Sequence, residues 1–118
     1  MLVRFSSQAT ANLLMFDDVA RPLLHIIGKA PTQRGVITVA EMPAALMRLQ
    51  KLVDEEKRLR EAKDEKDAVV IPDVGVEPHE LVHLAVRAQP FIKTLTQALR
   101  EEKEVVWTAA QDFAKPKP

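Results

Sequence analysis

Val105-Val106-Trp107, close to the end of the chain, and Leu2-Val3-Arg4-Phe5, at its start, are the short apolar runs whose reading decides the fold. Each is too short for a helix, and each reads as a strand. A lone strand leaves its N–H and C=O groups unpaired, so the two terminal strands are expected to pair with each other. Val36-Ile37, and Val69-Val70-Ile71 further on, are candidates for an additional edge strand.

The residues between these strands carry helical periodicity. From Ala9 to Ile27 apolar side chains fall at Leu13, Phe16, Val19, Ala20, Leu23, Leu24 and Ile27, at spacings of three and four. One amphipathic helix is expected there, kinked at Pro22, or two shorter helices meeting near Phe16-Asp17-Asp18 with an aspartate capping the second. Gly28 supplies the stop, with Lys29 suited to the negative end of the helix dipole. Ala30 to Gly35 is a loop by its proline and glycine. Thr38 and Glu41 have capping-box spacing, so a helix starts between Thr38 and Pro43. Its buried stripe is Met42, Ala45, Leu46, Leu49, Leu52 and Val53.

Beyond Val53 the composition changes. Of the fourteen residues from Asp54 to Asp67, twelve are charged, with mixed signs. That reads as a solvated helical extension stabilised by pairs three and four residues apart. Pro72, Gly75 and Pro78 mark a loop. A second long stripe then runs through Leu81, Leu84, Ala85, Ala88, Ile92, Leu95 and Leu99. It stays in phase across Pro90, so one kinked helix to about Lys103 is expected, in preference to two helices or to a strand over Val82–Val86.

The fold class expected is therefore α+β: a small sheet from the paired terminal strands with two or three helices packed on one face. One globular domain spans residues 1–113, with residues 54–78 as charged helix extension and loop, and 114–118 as a disordered tail. The core is expected to hold Leu2, Leu13, Phe16, Leu23, Ile27, Leu46, Leu49, Val53, Leu84, Ile92, Leu95, Leu99 and Trp107. So small a sheet has open edges, and pairing across a two-fold axis would cover one, which points to a homodimer.

Composition removes several functions. Lys plus Arg is 17 and Asp plus Glu is 17, so the net charge is zero and nothing suggests phosphate neutralisation on nucleic acid. Aromatic residues make up 4% and there is no Tyr, a poor base for stacking single strands. The absence of Cys excludes disulfides, thiolate metal sites and a Cys nucleophile. No apolar run is long enough to span a membrane, and the first residues lack a secretion signal's apolar centre, so the cytoplasm is the expected location. Arg21, Lys29 and Arg34 form a mild positive cluster that an acidic partner could meet.

One motif looks like chemistry. His79-Glu80-Leu81-Val82-His83 reads H-E-x-x-H, the zinc-peptidase pattern in which two imidazoles one helical turn apart hold the ion. The Glu between them, Glu80, would activate the bound water. Glu102, nineteen residues after His83, matches the spacing of a third ligand. Zinc-dependent hydrolysis by His79, Glu80, His83 and Glu102 is thus the alternative function. The setting opposes it. The motif follows Pro78 directly, both histidines lie roughly opposite the Leu81–Leu99 stripe, and Glu77 stands where a Val- or Thr-like residue is usual. Along one continuous helix Glu102 would sit about 28 Å from His83 at 1.5 Å per residue.

Several segments together resemble a known bacterial family. They are Met1-Leu2-Val3-Arg4-Phe5-Ser6-Ser7, Met15-Phe16-Asp17-Asp18-Val19-Ala20, Leu23-Leu24 through Gly28-Lys29, Pro43-Ala44-Ala45-Leu46 with Leu49, Arg87-Ala88-Gln89-Pro90-Phe91, and Val105-Val106-Trp107. The pattern is similar to that of the domain of unknown function 1840 family. The resemblance covers most of the chain, apart from Asp54 to about Pro78. It implies a small bacterial cytoplasmic protein and brings no catalytic residue, substrate or cofactor. It does not include the H-E-x-x-H motif. Arg87, which it does include, is expected to donate to carbonyls freed by Pro90. The leading functional expectation is a non-enzymatic interaction or accessory protein with an unknown protein partner, and without cofactor, nucleic acid or membrane.

Overall fold

The computed structural model describes residues 1–61 and 78–114. The chain runs β1 (Leu2–Ser7), β2 (Thr10–Phe16), α1 (Asp17–Ile26), β3 (Arg34–Ile37), a 3-10 turn (Val39–Glu41), α2 (Met42–Glu61), α3 (Pro78–Arg100) and β4 (Val105–Thr108). The four strands form one antiparallel sheet in the order β2-β1-β4-β3, and with the three helices they make an α+β fold. The terminal strands pair as expected, with Phe5 opposite Trp107 and Arg4 opposite Thr108. Val36-Ile37 does join them, on the far side of β4. The expected strand at Val69–Ile71, the helical extension beyond Glu61 and the tail 115–118 lie outside the described residues.

Alternation along each strand sends one set of side chains into the helical layer. Val3, Phe5, Met15, Ile37, Val105 and Trp107 point inward and are buried. They share one core with Ala20, Leu23 and Leu24 of α1, Met42, Leu49 and Leu52 of α2, and Leu84, Phe91 and Leu95 of α3. Phe5 is central, with its ring centroid 4.9 Å from Phe91 and 6.4 Å from Trp107. The Trp107 indole N–H donates to the Thr32 carbonyl at 2.9 Å, which ties the loop before β3 to β4. Opposite Trp107 stands Gly35, whose missing side chain leaves room for the indole ring.

The end of α1 and the start of α2 follow the sequence signals. At the end of α1 the Gly28 N–H bonds to the His25 carbonyl and the Lys29 N–H to the Leu24 carbonyl. This is the Schellman pattern, and Gly28 supplies the positive φ (81°) it needs. The Glu41 carboxylate accepts from the Thr38 N–H at 2.9 Å and from the Thr38 hydroxyl at 3.0 Å, and it pairs with Lys29. The Lys29 ammonium, followed by the Thr38 N–H, pulls the Glu41 carboxyl down from 4.5 to about 2. α3 passes through Pro90 unbroken, as its in-phase stripe requires. Arg87 does not take its expected role: it is exposed and makes no hydrogen bond with the described residues.

The main correction concerns residues 9–16. The helix expected from Ala9 starts only at Asp17, and Thr10–Phe16 is instead the second arm of a hairpin. Its turn is held by the Ser7 hydroxyl, which accepts from the Ala9 N–H at 3.2 Å. Asp17 does not cap α1. It lies in the first turn, where its carboxylate accepts from the Met1 ammonium at 3.0 Å and from Arg21 at 3.3 Å. The Met1 hydrogen bond is the main reason the Asp17 carboxyl is held below its usual range. Leu2 and Phe16, expected in the core, are 52% and 62% exposed because their register sends them to the opposite face from Val3 and Met15. Leu13, Ile27, Leu46, Val53, Ile92 and Leu99 are partly buried against the core rather than inside it.

Candidate functional site

The H-E-x-x-H segment opens α3, with His79 and Glu80 in its first turn. The side chains of these two lie outside the described residues. His83 is exposed, while its neighbours Leu81 and Leu84 are buried. Because α3 is continuous to Arg100, about 26 Å of helix axis separates His83 from that end, and Glu102 lies beyond it. One ion cannot reach both. Among the described residues no three His, Asp or Glu side chains gather as a metal site.

Glu102 belongs to a different place. A cleft of about 610 Å³ opens at one end of the sheet, where the β1–β2 turn, the start of the 3-10 turn and the α3–β4 connection converge. Ser6, Ser7, Gln8, Thr38, Glu102, Lys103 and Glu104 line it with polar groups. The Ser6 hydroxyl donates to the Val106 carbonyl at 3.5 Å, and Thr38 is engaged by Glu41. Those hydroxyls serve the backbone and a cap, and no histidine stands among the lining residues. Glu102 itself has a φ of 57°. It ends α3 as Gly28 ends α1: its N–H bonds to the Leu99 carbonyl and that of Lys103 to the Ala98 carbonyl.

The positive cluster is largely consumed inside the molecule. Arg21 donates from Nε to the Phe113 carbonyl at 2.7 Å and from a terminal nitrogen to Asp17, and Lys29 pairs with Glu41. Arg21 thereby helps seat the chain after β4, where Phe113 is buried and its N–H bonds to the Pro31 carbonyl.

The outer face of the sheet is the feature that the sequence pattern does not announce. The helices pack on the inner face, so the outer one carries Leu2 and Arg4 from β1, Asn12, Leu14 and Phe16 from β2, and Val36 from β3. Leu2 sits directly across from Phe16, and Leu14 is the next outward residue along β2. Leu2, Leu14 and Phe16 are 52%, 53% and 62% exposed. An outward sheet face is ordinarily polar, giving clean alternation along the strand. Here one end of the hairpin is apolar on both faces. Its signal in the sequence is the unbroken run Leu13-Leu14-Met15-Phe16, which leaves no polar position for solvent. Among the described residues, no helix is long and apolar enough to cross a membrane.

Comparison with curated proteins and with solved structures gives no match to this chain. A family model does match, over residues 1–107, so it takes in the hairpin, all three helices and β4 up to Trp107. The chain belongs to the family described as domain of unknown function (DUF1840).

Proposed function

We propose that this chain is a non-enzymatic interaction or accessory protein of the bacterial cytoplasm, and that it docks through the outer face of its sheet. The observation that carries the reading is the cluster of Leu2, Leu14 and Phe16, each more than half exposed on a face away from the helices. At roughly 150–200 Å² for a fully open side chain, the cluster leaves about 300 Å² of apolar surface to solvent. A contiguous patch of that size on a soluble protein is often functional. Met47, 73% exposed on α2, lies outside the sheet and serves as the comparison position. The cleft at the sheet end has mixed polar and apolar walls, Val39 and Val106 among them, and no paired nucleophile and base among its lining residues, so it gives less support to an enzyme.

The test is photo-crosslinking in living cells from benzoylphenylalanine placed at Phe16, at Leu2, or at Met47 as the control. Discrete adducts from Phe16 and Leu2 but not from Met47 are expected. Equal, diffuse labelling from all three positions would reject the face as a docking surface.

A further inference from the structure

The sheet has two edges, and they are built differently. β3, at one edge, has four residues, opens with Arg34 and contains Gly35. The loop before it is tied down: the Gln33 carbonyl accepts from the Ala109 N–H, and the Gln33 N–H donates to Asp112. Shortness and charge are ways in which proteins protect an open edge. β2, at the other edge, has seven residues, none of them charged and none proline. Ala11, Asn12, Leu14 and Phe16 along it are exposed. Among the described residues this edge lacks both devices and carries one irregularity, where its pairing with β1 slips by a residue between Phe5 and Ser7.

We propose that β2 pairs antiparallel with β2 of a second copy of the chain, so that two four-stranded sheets become one of eight strands. The proposal rests on the reading of the outer face as an interaction surface, and it names one partner for it. An antiparallel strand pair is its own complement under a two-fold axis, because donors and acceptors exchange places. Centring that axis on Leu13 sets Asn12 opposite Leu14 of the second copy, in the stretch of β2 that follows the irregularity in its register. That pair, repeated by the two-fold axis, joins a smaller exposed side chain to a larger one. Both Leu2–Leu14–Phe16 clusters come to lie on the same face of the enlarged sheet.

Charge does not oppose the contact. The chain is neutral overall, so two copies do not repel at a distance. The nearest outward charge to the edge is Arg4, one strand in from Leu14. The two copies' Arg4 residues would stand about three strand spacings apart, roughly 14 Å, which salt screens. At about 24 Å long and about 10 Å across, the edge offers on the order of 240 Å², modest beside a standard interface of about 800 Å² per partner. A dissociation constant on the order of micromolar is therefore expected.

Sedimentation equilibrium of the full chain from about 1 to 500 µM tests this, a range chosen to bracket that constant. The mass should rise from 13.2 kDa toward twice that value. Asn12→Glu combined with Leu14→Glu places carboxylates directly opposite one another across the axis and should weaken the dimer at least about tenfold. Both positions are exposed in the single chain, so its circular dichroism should not change. Arg34→Glu on the other edge should leave the dimer intact. Independently, amide exchange over Thr10–Phe16 should slow with concentration while that over Arg34–Ile37 does not. A monomer throughout the range overturns the proposal, as does a dimer that the double variant leaves at full strength. A monomer that still gives a foreign adduct from Phe16 overturns the dimer and leaves the docking reading standing. A monomer with no adduct removes both.

Discussion

Gly35→Ala is the substitution whose cost can be worked most fully from the structure. A Cβ at Gly35 would lie 2.0, 2.2 and 2.5 Å from Cζ2, Cη2 and Cε2 of Trp107. Carbon atoms in contact prefer about 3.5–4.0 Å, so the ring must retreat by more than about 1 Å. It has little room to do so. Trp107 is 2% exposed, its ring packs near Phe5, and its N–H is committed to the Thr32 carbonyl. The Gly35 backbone is held by the β3–β4 ladder. Overpacking costs about 1–3 kcal/mol and the lost hydrogen bond about 1, against which alanine recovers about 0.5–1 through a less flexible unfolded chain. The net expectation is a loss of about 2 kcal/mol. Trp107 is the one tryptophan of the chain, so its fluorescence reports directly on the site. In urea, with a slope of about 1–3 kcal/mol per molar, the midpoint should fall by about 1 M. The folded variant's emission should also shift to the red. An unchanged midpoint with unchanged emission would refute the claim that the indole occupies the space a Gly35 side chain would need.

Three further outcomes are expected. The Glu41 carboxyl is lowered in the folded chain, so its stabilising contribution is complete above its ordinary value of 4.5 and is lost as pH falls toward about 2. Urea titrations of the native chain and of Glu41→Gln should therefore differ near neutrality, by under about 1 kcal/mol at this partly exposed site, and converge in that acid window. A gap that widens in acid would contradict the assignment. Glu102→Gly, which relieves a left-handed backbone of 57°, should stabilise the chain by about 0.5–1 kcal/mol in the same assay, and destabilisation would contradict the cap geometry. Protein prepared without a His-tag and dialysed against a weak chelator should keep less than one zinc per chain, whereas a full equivalent, lost with His83→Ala, would restore the zinc reading.

Much of the fold is legible in the sequence because its signals are local or strictly periodic. Thr38 and Glu41 announce the start of the second helix by capping chemistry alone. Gly28 announces the end of the first, since a positive φ lets the last carbonyls close on the Gly28 and Lys29 amides. The stripe from Leu81 to Leu99 stays in phase through Pro90, and a single helix results. The terminal strands are brought together by the need to satisfy their backbone groups.

The hairpin arm Thr10–Phe16 is not legible, for a physical reason. A strand is recognised by polar residues on its solvent face, and this one puts Leu14 and Phe16 there. Its apolar positions also run on into those of α1 at helical spacing, which imitates one long amphipathic helix. The turn at Gln8-Ala9 has no glycine or proline to break that pattern. The property that hides the strand is the property that suggests its function, because an apolar outward face serves contact rather than solvation. The H-E-x-x-H spacing is legible at once, but spacing alone does not place Glu102, which the length of α3 puts at the other end of the helix.

The most direct test of the docking account is the comparison of crosslinks formed in cells from Phe16 and from Met47. The two positions are similarly apolar and exposed, 62% and 73%, but only Phe16 belongs to the outer-face cluster. A discrete adduct from Phe16 with none from Met47 is the expected result. Adducts of equal yield and pattern from both positions would contradict it.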